Sequence, residues 1–130
     1  MSVNMERAKA LRADKDVHYN CAQSVLIPFA EAAGITQEAA MKVSSAFGSG
    51  MRMGSTCGAI TGGLMVLGLL GKNDPETTGK FLKVFRDHHD GVTDCATLLK
   101  VNHEKGGERK PHCDGMVFEA IEALEEVLGE

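Results

Sequence analysis

The sequence predicts an all-α fold: a compact bundle of about six helices around a buried, glycine-rich central helix. Three observations carry this. No segment alternates apolar and polar residues well enough to form a strand. Val117, Ala120, Ile121, Leu124, Val127 and Leu128 recur at helical spacing, with Glu119, Glu122, Glu125 and Glu126 mostly on the wet side. Several further runs open on a capping residue and close on glycine.

Met5–Ala13 is charged and reads as an arm or short helix. Asn20 caps a run from Cys21 to a stop at Gly34, with Val25, Leu26, Phe29 and Ala33 on one face. Pro28 inside it predicts a kink or a divided helix. Thr36 caps Gln37–Phe47, which ends in the turn Gly48-Ser49-Gly50. Ser55 or Thr56 caps the next helix, from near Cys57 to Gly71; it is apolar nearly all round and therefore the expected central helix. Gly54, Gly58 and Gly62 recur every four residues there, a bare row that suits tight helix packing or clearance for a cofactor. Asp74-Pro75 starts a helix carrying Phe81, Leu82, Val84 and Phe85, which stops at Asp90-Gly91. Thr93 or Asp94 caps a short helix with Cys95, Leu98, Leu99 and Val101. Asn102–His112 reads as a mobile polar loop, and the last helix is expected to begin near Cys113.

At 130 residues the chain reads as one domain, 1–130, in which 1–16 form the N-terminal arm. Hydrophobic residues make up 43% and charged residues 25%, as in an ordinary globular protein. A net charge of −4, no basic stripe and few aromatics argue against nucleic-acid binding. The N-terminus has no apolar signal core, and the most apolar stretch, Ala59–Leu70, is too short and glycine-rich to span a bilayer. A cytoplasmic location is the resulting expectation. There, the four cysteines Cys21, Cys57, Cys95 and Cys113 are expected to bind metal or do chemistry rather than form structural disulfides.

Each of those cysteines falls where a helix is expected to begin. Unpaired N–H groups and the macrodipole there favour a thiolate by about 0.3–1 kcal/mol. Their separations, 36, 38 and 18 residues, contain no C-x-x-C, so neither a zinc ribbon nor a thioredoxin-type site nor ferredoxin spacing is present. Only a folded bundle brings such dispersed residues together. Four thiolates so gathered repel one another by more than the dipoles supply, so convergence calls for a metal or cluster between them, or for disulfides.

Tyr19-x-Cys21, Gly48-x-Gly50-Met51, the block Cys57-Gly58-Ala59-Ile60-Thr61-Gly62, Cys95 followed by Leu98-Leu99, and a final Cys113 resemble the redox-active protein family named for its C…GCAxxG…C…C pattern. The central block here reads TCGAITGG, and the resemblance covers residues 17–128, the four-cysteine helical redox domain. A more distant similarity to the cluster-carrying part of split-Soret cytochromes implies an iron–sulfur cluster held by Cys21, Cys57, Cys95 and Cys113, for electron transfer with a redox partner protein. No C-x-x-C-H is present, so no covalent c-type haem is expected.

Iron–sulfur electron transfer is thus the leading expectation, with Gly58 also at the cofactor. A thiol–disulfide oxidoreductase or sensor is the alternative: Cys57, its sulfur left accessible by the surrounding glycines, attacks, and Cys21 or another cysteine resolves. A helical interaction module stabilised by zinc on the same cysteines is the third. His88 and His89 offset the C-terminal dipole of their helix. His18 and His112, beside cysteines, tune a thiolate or replace a ligand. Tyr19 packs, or bonds a sulfur. The run Gly48–Thr56 lacks the ending of a phosphate loop. Met51 and Met53 are expected to fill gaps, and Lys105, Arg109 and Lys110 to solvate a loop or attract an acidic partner. The glycine row offers a homodimer contact.

Overall fold

Helices make up nearly all the regular structure of residues 2–129, which a computed structural model describes; Met1 and Glu130, the ends of the expected domain, lie outside the described residues. They are α1 (Val3–Ala13), α2 (Cys21–Phe29), α3 (Gln37–Val43), α4 (Gly58–Leu69), α5 (Pro75–His88), α6 (Cys95–Glu104) and α7 (Arg109–Leu128), with a short helical segment at Gly50–Gly54. No strand occurs among the described residues, only an isolated antiparallel bridge between Thr56 and Asp94. The class is all-α as expected, with slightly more pieces than six.

The cap signals place most starts. Asn20, Thr36, Asp74 and Asp94 each accept a hydrogen bond from the backbone N–H three residues on. The ends depart more. α2 stops at Phe29 instead of Gly34: Pro28 leaves the Ser24 carbonyl without its ladder bond, and the Ala30 N–H turns to the Ile27 carbonyl, tightening the last turn. α3 stops at Val43 instead of Phe47: the hydroxyls of Ser44 and Ser45 donate to the carbonyls of Ala40 and Lys42 and close the helix. The expected loop 102–112 is mostly helix. α6 continues to Glu104 and α7 opens at Arg109, where Pro111 sits in a first turn whose N–H groups have no partner anyway.

The expected arm is a helix with a docked face. Ser2 caps α1, donates its hydroxyl to Glu125 at 2.8 Å, and Met5 and Ala8 are buried. α1 packs on both α2 and α7.

The most enclosed helix is α2 rather than α4. Every residue from Ala22 to Ala30 is buried, whereas Leu69 of α4 is 41% exposed. Gln23 and Ser24 disguise this in the sequence. Both are buried with their polar atoms satisfied: Ser24 donates to the Asn20 carbonyl at 2.8 Å, and Gln23 bonds Asn20 and the Met41 carbonyl. The largest helix contact joins α2 to α4. It depends on bare backbone, since a Cβ on Gly62 would lie 2.8 Å from the Ala22 carbonyl oxygen. The glycine row therefore serves packing, and α2 already covers the face offered for a dimer. Gly54 lies outside α4, in the preceding turn.

On the other side of α4, the Phe81 ring of α5 fills the space above Gly63, where a Cβ would collide with it. Phe81 and Phe85 are fully buried and meet edge to face at 5.3 Å. Each such ring contributes about 1.5–3 kcal/mol by burial, and the pair about 0.5–1.5 kcal/mol more. Among the described residues no helix is long and apolar enough to cross a membrane.

Candidate redox site

Four chain segments bring the cysteines to one place. Cys21 is the first residue of α2, held by a reciprocal cap in which Asn20 accepts from the Gln23 N–H at 2.8 Å and Gln23 accepts from the Asn20 N–H at 2.9 Å. The Asn20 amide also donates to the carbonyls of Ser44 and Ser45, fastening this end to α3. Cys57 is itself the residue that precedes the first turn of α4, the place expected for Ser55 or Thr56. Its N–H donates to Thr93 at 2.9 Å and the Cys95 N–H donates to Ser55 at 2.6 Å, so 55–57 and 93–95 lie side by side. Cys95 opens α6. Cys113 does not open a helix: it sits one turn inside α7, four residues beyond Arg109.

A tight turn closes this arrangement. Ser49, Gly50, Met51 and Arg52 all have positive φ, one turn of left-handed backbone. For the three non-glycine residues that conformation costs about 1–2 kcal/mol each. The turn is held at Gly50, whose Cα is pressed so close to Ser55 and Cys95 that a side chain would not fit. Ser49 also accepts a hydrogen bond from Arg109 at 3.1 Å. Met53 is 75% exposed, so it fills no gap.

All four cysteines border a single cavity of about 80 Å³, with Gly58, Arg12, Arg109, His18 and His112 also on its wall. All four are free thiols. Among the described residues, no three His, Cys, Asp or Glu side chains gather about one point as a single metal ion requires. Gly58 touches the cavity, but its missing side chain chiefly lets α2 approach: a Cβ would lie 3.2 Å from that of Cys21.

Charge is unevenly shared. The Cys21 thiol donates a hydrogen bond to the sulfur of Cys113, which holds Cys21 well above its ordinary value; burial and the charges of Cys113 and Cys57 add to this, and only Arg12 opposes. The same bond draws Cys113 down to about 6, helped by Arg12 and Arg109 against its own burial. Burial pushes Cys57 up to about 11, although the N–H groups of Ala59 and Ile60 favour its thiolate. Cys95 is raised by burial and by Cys113, with Arg109 opposing. Cys57 is only 6% exposed, so the glycines beside it do not open it to solvent.

Arg12 is the functional residue the sequence reading missed. It comes from α1, its side chain is 7% exposed, and it pairs with Asp114 at 2.6 Å while donating to the Tyr19 carbonyl at 2.8 Å. Its signal was the spacing of Met5, Ala8, Leu11 and Arg12, which puts all four on one face of a helix. Tyr19 itself is partly buried and packs on the core. His88 and His89 do more than end α5: their rings bond the two oxygens of Glu119 at 2.7 and 2.9 Å, joining α5 to α7. His112 is held below its ordinary value by burial, then by His89, with Glu119 opposing.

A family model described as "Putative redox-active protein (C_GCAxxG_C_C)" matches residues 19–127, a span that begins two residues before Cys21 and takes in all four cysteines. The chain belongs to this family. Comparison with curated proteins and with solved structures found no match. The cysteines that define the family's name are thus the ones that the fold gathers around the cavity.

Proposed function

We propose that this family member moves electrons by thiol–disulfide exchange, with Cys113 attacking and Cys21 resolving. The observation that carries this is that Cys21 and Cys113 line one cavity, with Arg12 and Arg109 on the same wall to favour a thiolate at Cys113: one sulfur ready to attack, its neighbour positioned to displace it. Oxidation joins the two sulfurs, releases two electrons to a disulfide of a partner, and frees the Cys21 proton. Cys57, first in line on the sequence, is too buried for the attacking role. Mild oxidation should lower the free-thiol count by two, and peptide mapping should find Cys21 linked to Cys113. A count that stays at four would overturn the reading.

A second reading is favoured by a different observation, the convergence of all four cysteines on one cavity. Four thiols around one cavity suit an iron–sulfur cluster, whose irons spread the ligands over more than one centre, better than one zinc ion with four. When bound, such a cluster supplies one-electron transfer. In this chain Arg12 and Arg109 would offset the charge of the thiolates. Iron, sulfide and charge-transfer absorption in anaerobically prepared protein test this reading; colourless, metal-free protein after reconstitution counts against it. The zinc module would instead require stoichiometric zinc and unfolding by a chelator.

A further inference from the structure

A second cavity, of about 290 Å³, opens beside the first between the end of α1 and the start of α7. Cys113 borders both, whereas Cys21, Cys57 and Cys95 border only the inner one. An external molecule that enters by the outer cavity therefore meets Cys113 and none of the other three cysteines. The volume is close to that of sites that enclose small organic ligands. One side is apolar, with Leu11, Val17 and Tyr19; the other carries Arg12, Arg109 and Lys110.

The cations there are not equally free. Arg12 and Lys110 both pair with Asp114, and Lys110 also donates to the Arg12 carbonyl. The Asp14 carboxylate accepts from the N–H groups of Asp16 and Val17. Among the described residues Arg109 has no carboxylate partner. It donates to Ser49 and lines both cavities together with Cys113.

We infer that the external reactant is a low-molecular-weight disulfide bearing carboxylates, which enters the outer cavity, sets a carboxylate against Arg109 and Lys110, and exchanges at Cys113. This rests on the thiol–disulfide reading above. The Cys113 thiolate attacks one sulfur of the reactant and breaks its S–S bond, and one thiolate departs. Cys21 then gives its proton to a departing thiolate and attacks the Cys113 sulfur, which expels the second. The reactant gains two electrons and leaves as one thiol and one thiolate, the latter taking its proton from water; the protein keeps a Cys21–Cys113 disulfide.

The test compares the rate at which the reduced protein is oxidised by three probes: glutathione disulfide, which is anionic; 2-hydroxyethyl disulfide, which is neutral; and cystamine, which is cationic. A free thiolate in solution is repelled by the first and attracted by the last. The protein should reverse that order, with glutathione disulfide about tenfold faster than cystamine at low salt. The ratio should fall towards one in the double variant Arg109→Gln, Lys110→Gln. Because both reagents meet the same sulfur, the ratio is unaffected by any change in Cys113 acidity. Cystamine reacting as fast as glutathione disulfide, or a ratio unchanged in the double variant, would overturn the inference while leaving the exchange chemistry intact. Absence of reaction with all three would instead overturn the underlying reading, and the inference with it.

Discussion

Three cysteines stand at the starts of helices α2, α4 and α6, where backbone N–H groups favour a thiolate, yet all three are held above their ordinary values. The fourth, a turn inside α7 and away from those N–H groups, is the one drawn down. The contrast ranks the forces. A helix start contributes about 0.3–1 kcal/mol. Burial of the charged form and repulsion between sulfurs oppose it by more. What lowers Cys113 is specific company: a hydrogen bond from Cys21 and two guanidiniums from different helices.

Cys57 gives the largest expected effect at the helix-start end of the comparison. It keeps its proton until about pH 11 in the fold but only to 9.0 when unfolded. Its contribution to stability is therefore whole below pH 9 and is lost as pH rises through 11, by about 2–3 kcal/mol. Urea titrations of the wild type and Cys57→Ala across that range should diverge by this amount. Parallel curves would mean that burial does not govern this thiol.

The Cys21→Ala variant probes the other end. It deletes a hydrogen bond to a charged group, of about 1.5–3 kcal/mol, and should raise the alkylation midpoint of Cys113 by about 1–2 pH units. An unmoved midpoint would leave the two guanidiniums as the whole cause. A smaller effect, about 1–3 kcal/mol, is expected from Gly62→Ala, which forces α2 and with it Cys21 away from α4. On the same helix Gly68→Ala meets open space and should instead stabilise by about 0.5–1 kcal/mol. Equal responses by chemical denaturation at the two glycines would show that the close approach does not set the site.

How legible was this in the sequence? The all-α class and most helix starts were, because caps and apolar spacing are local. The grouping of the cysteines was expected from the family pattern. Four things were not legible, the first two because they depend on docking between distant elements. The apolar run of α4 marked it as the central helix, whereas α2, the most enclosed, buries Gln23 and Ser24 with their hydrogen bonds satisfied by neighbours. Arg12 looked like part of a charged arm until α1 docked on α7 and brought it to Asp114. Cys113 looked like the edge of a loop, because Gly106, Gly107 and Pro111 hid a helix that starts at Arg109. The left-handed turn at Ser49–Arg52 had no signal beyond its glycines, since Met51 and Arg52 disfavour that backbone.

The central claim is that the ionised sulfur belongs to Cys113. Alkylation with iodoacetamide, resolved by peptide mass at each pH from 5 to 10, tests it most directly. Cys113 should be modified first, with a midpoint at about 6, while Cys21 and Cys57 stay unmodified at neutral pH. Modification of Cys57 before Cys113, or a Cys113 midpoint near the ordinary 9.0, would contradict it.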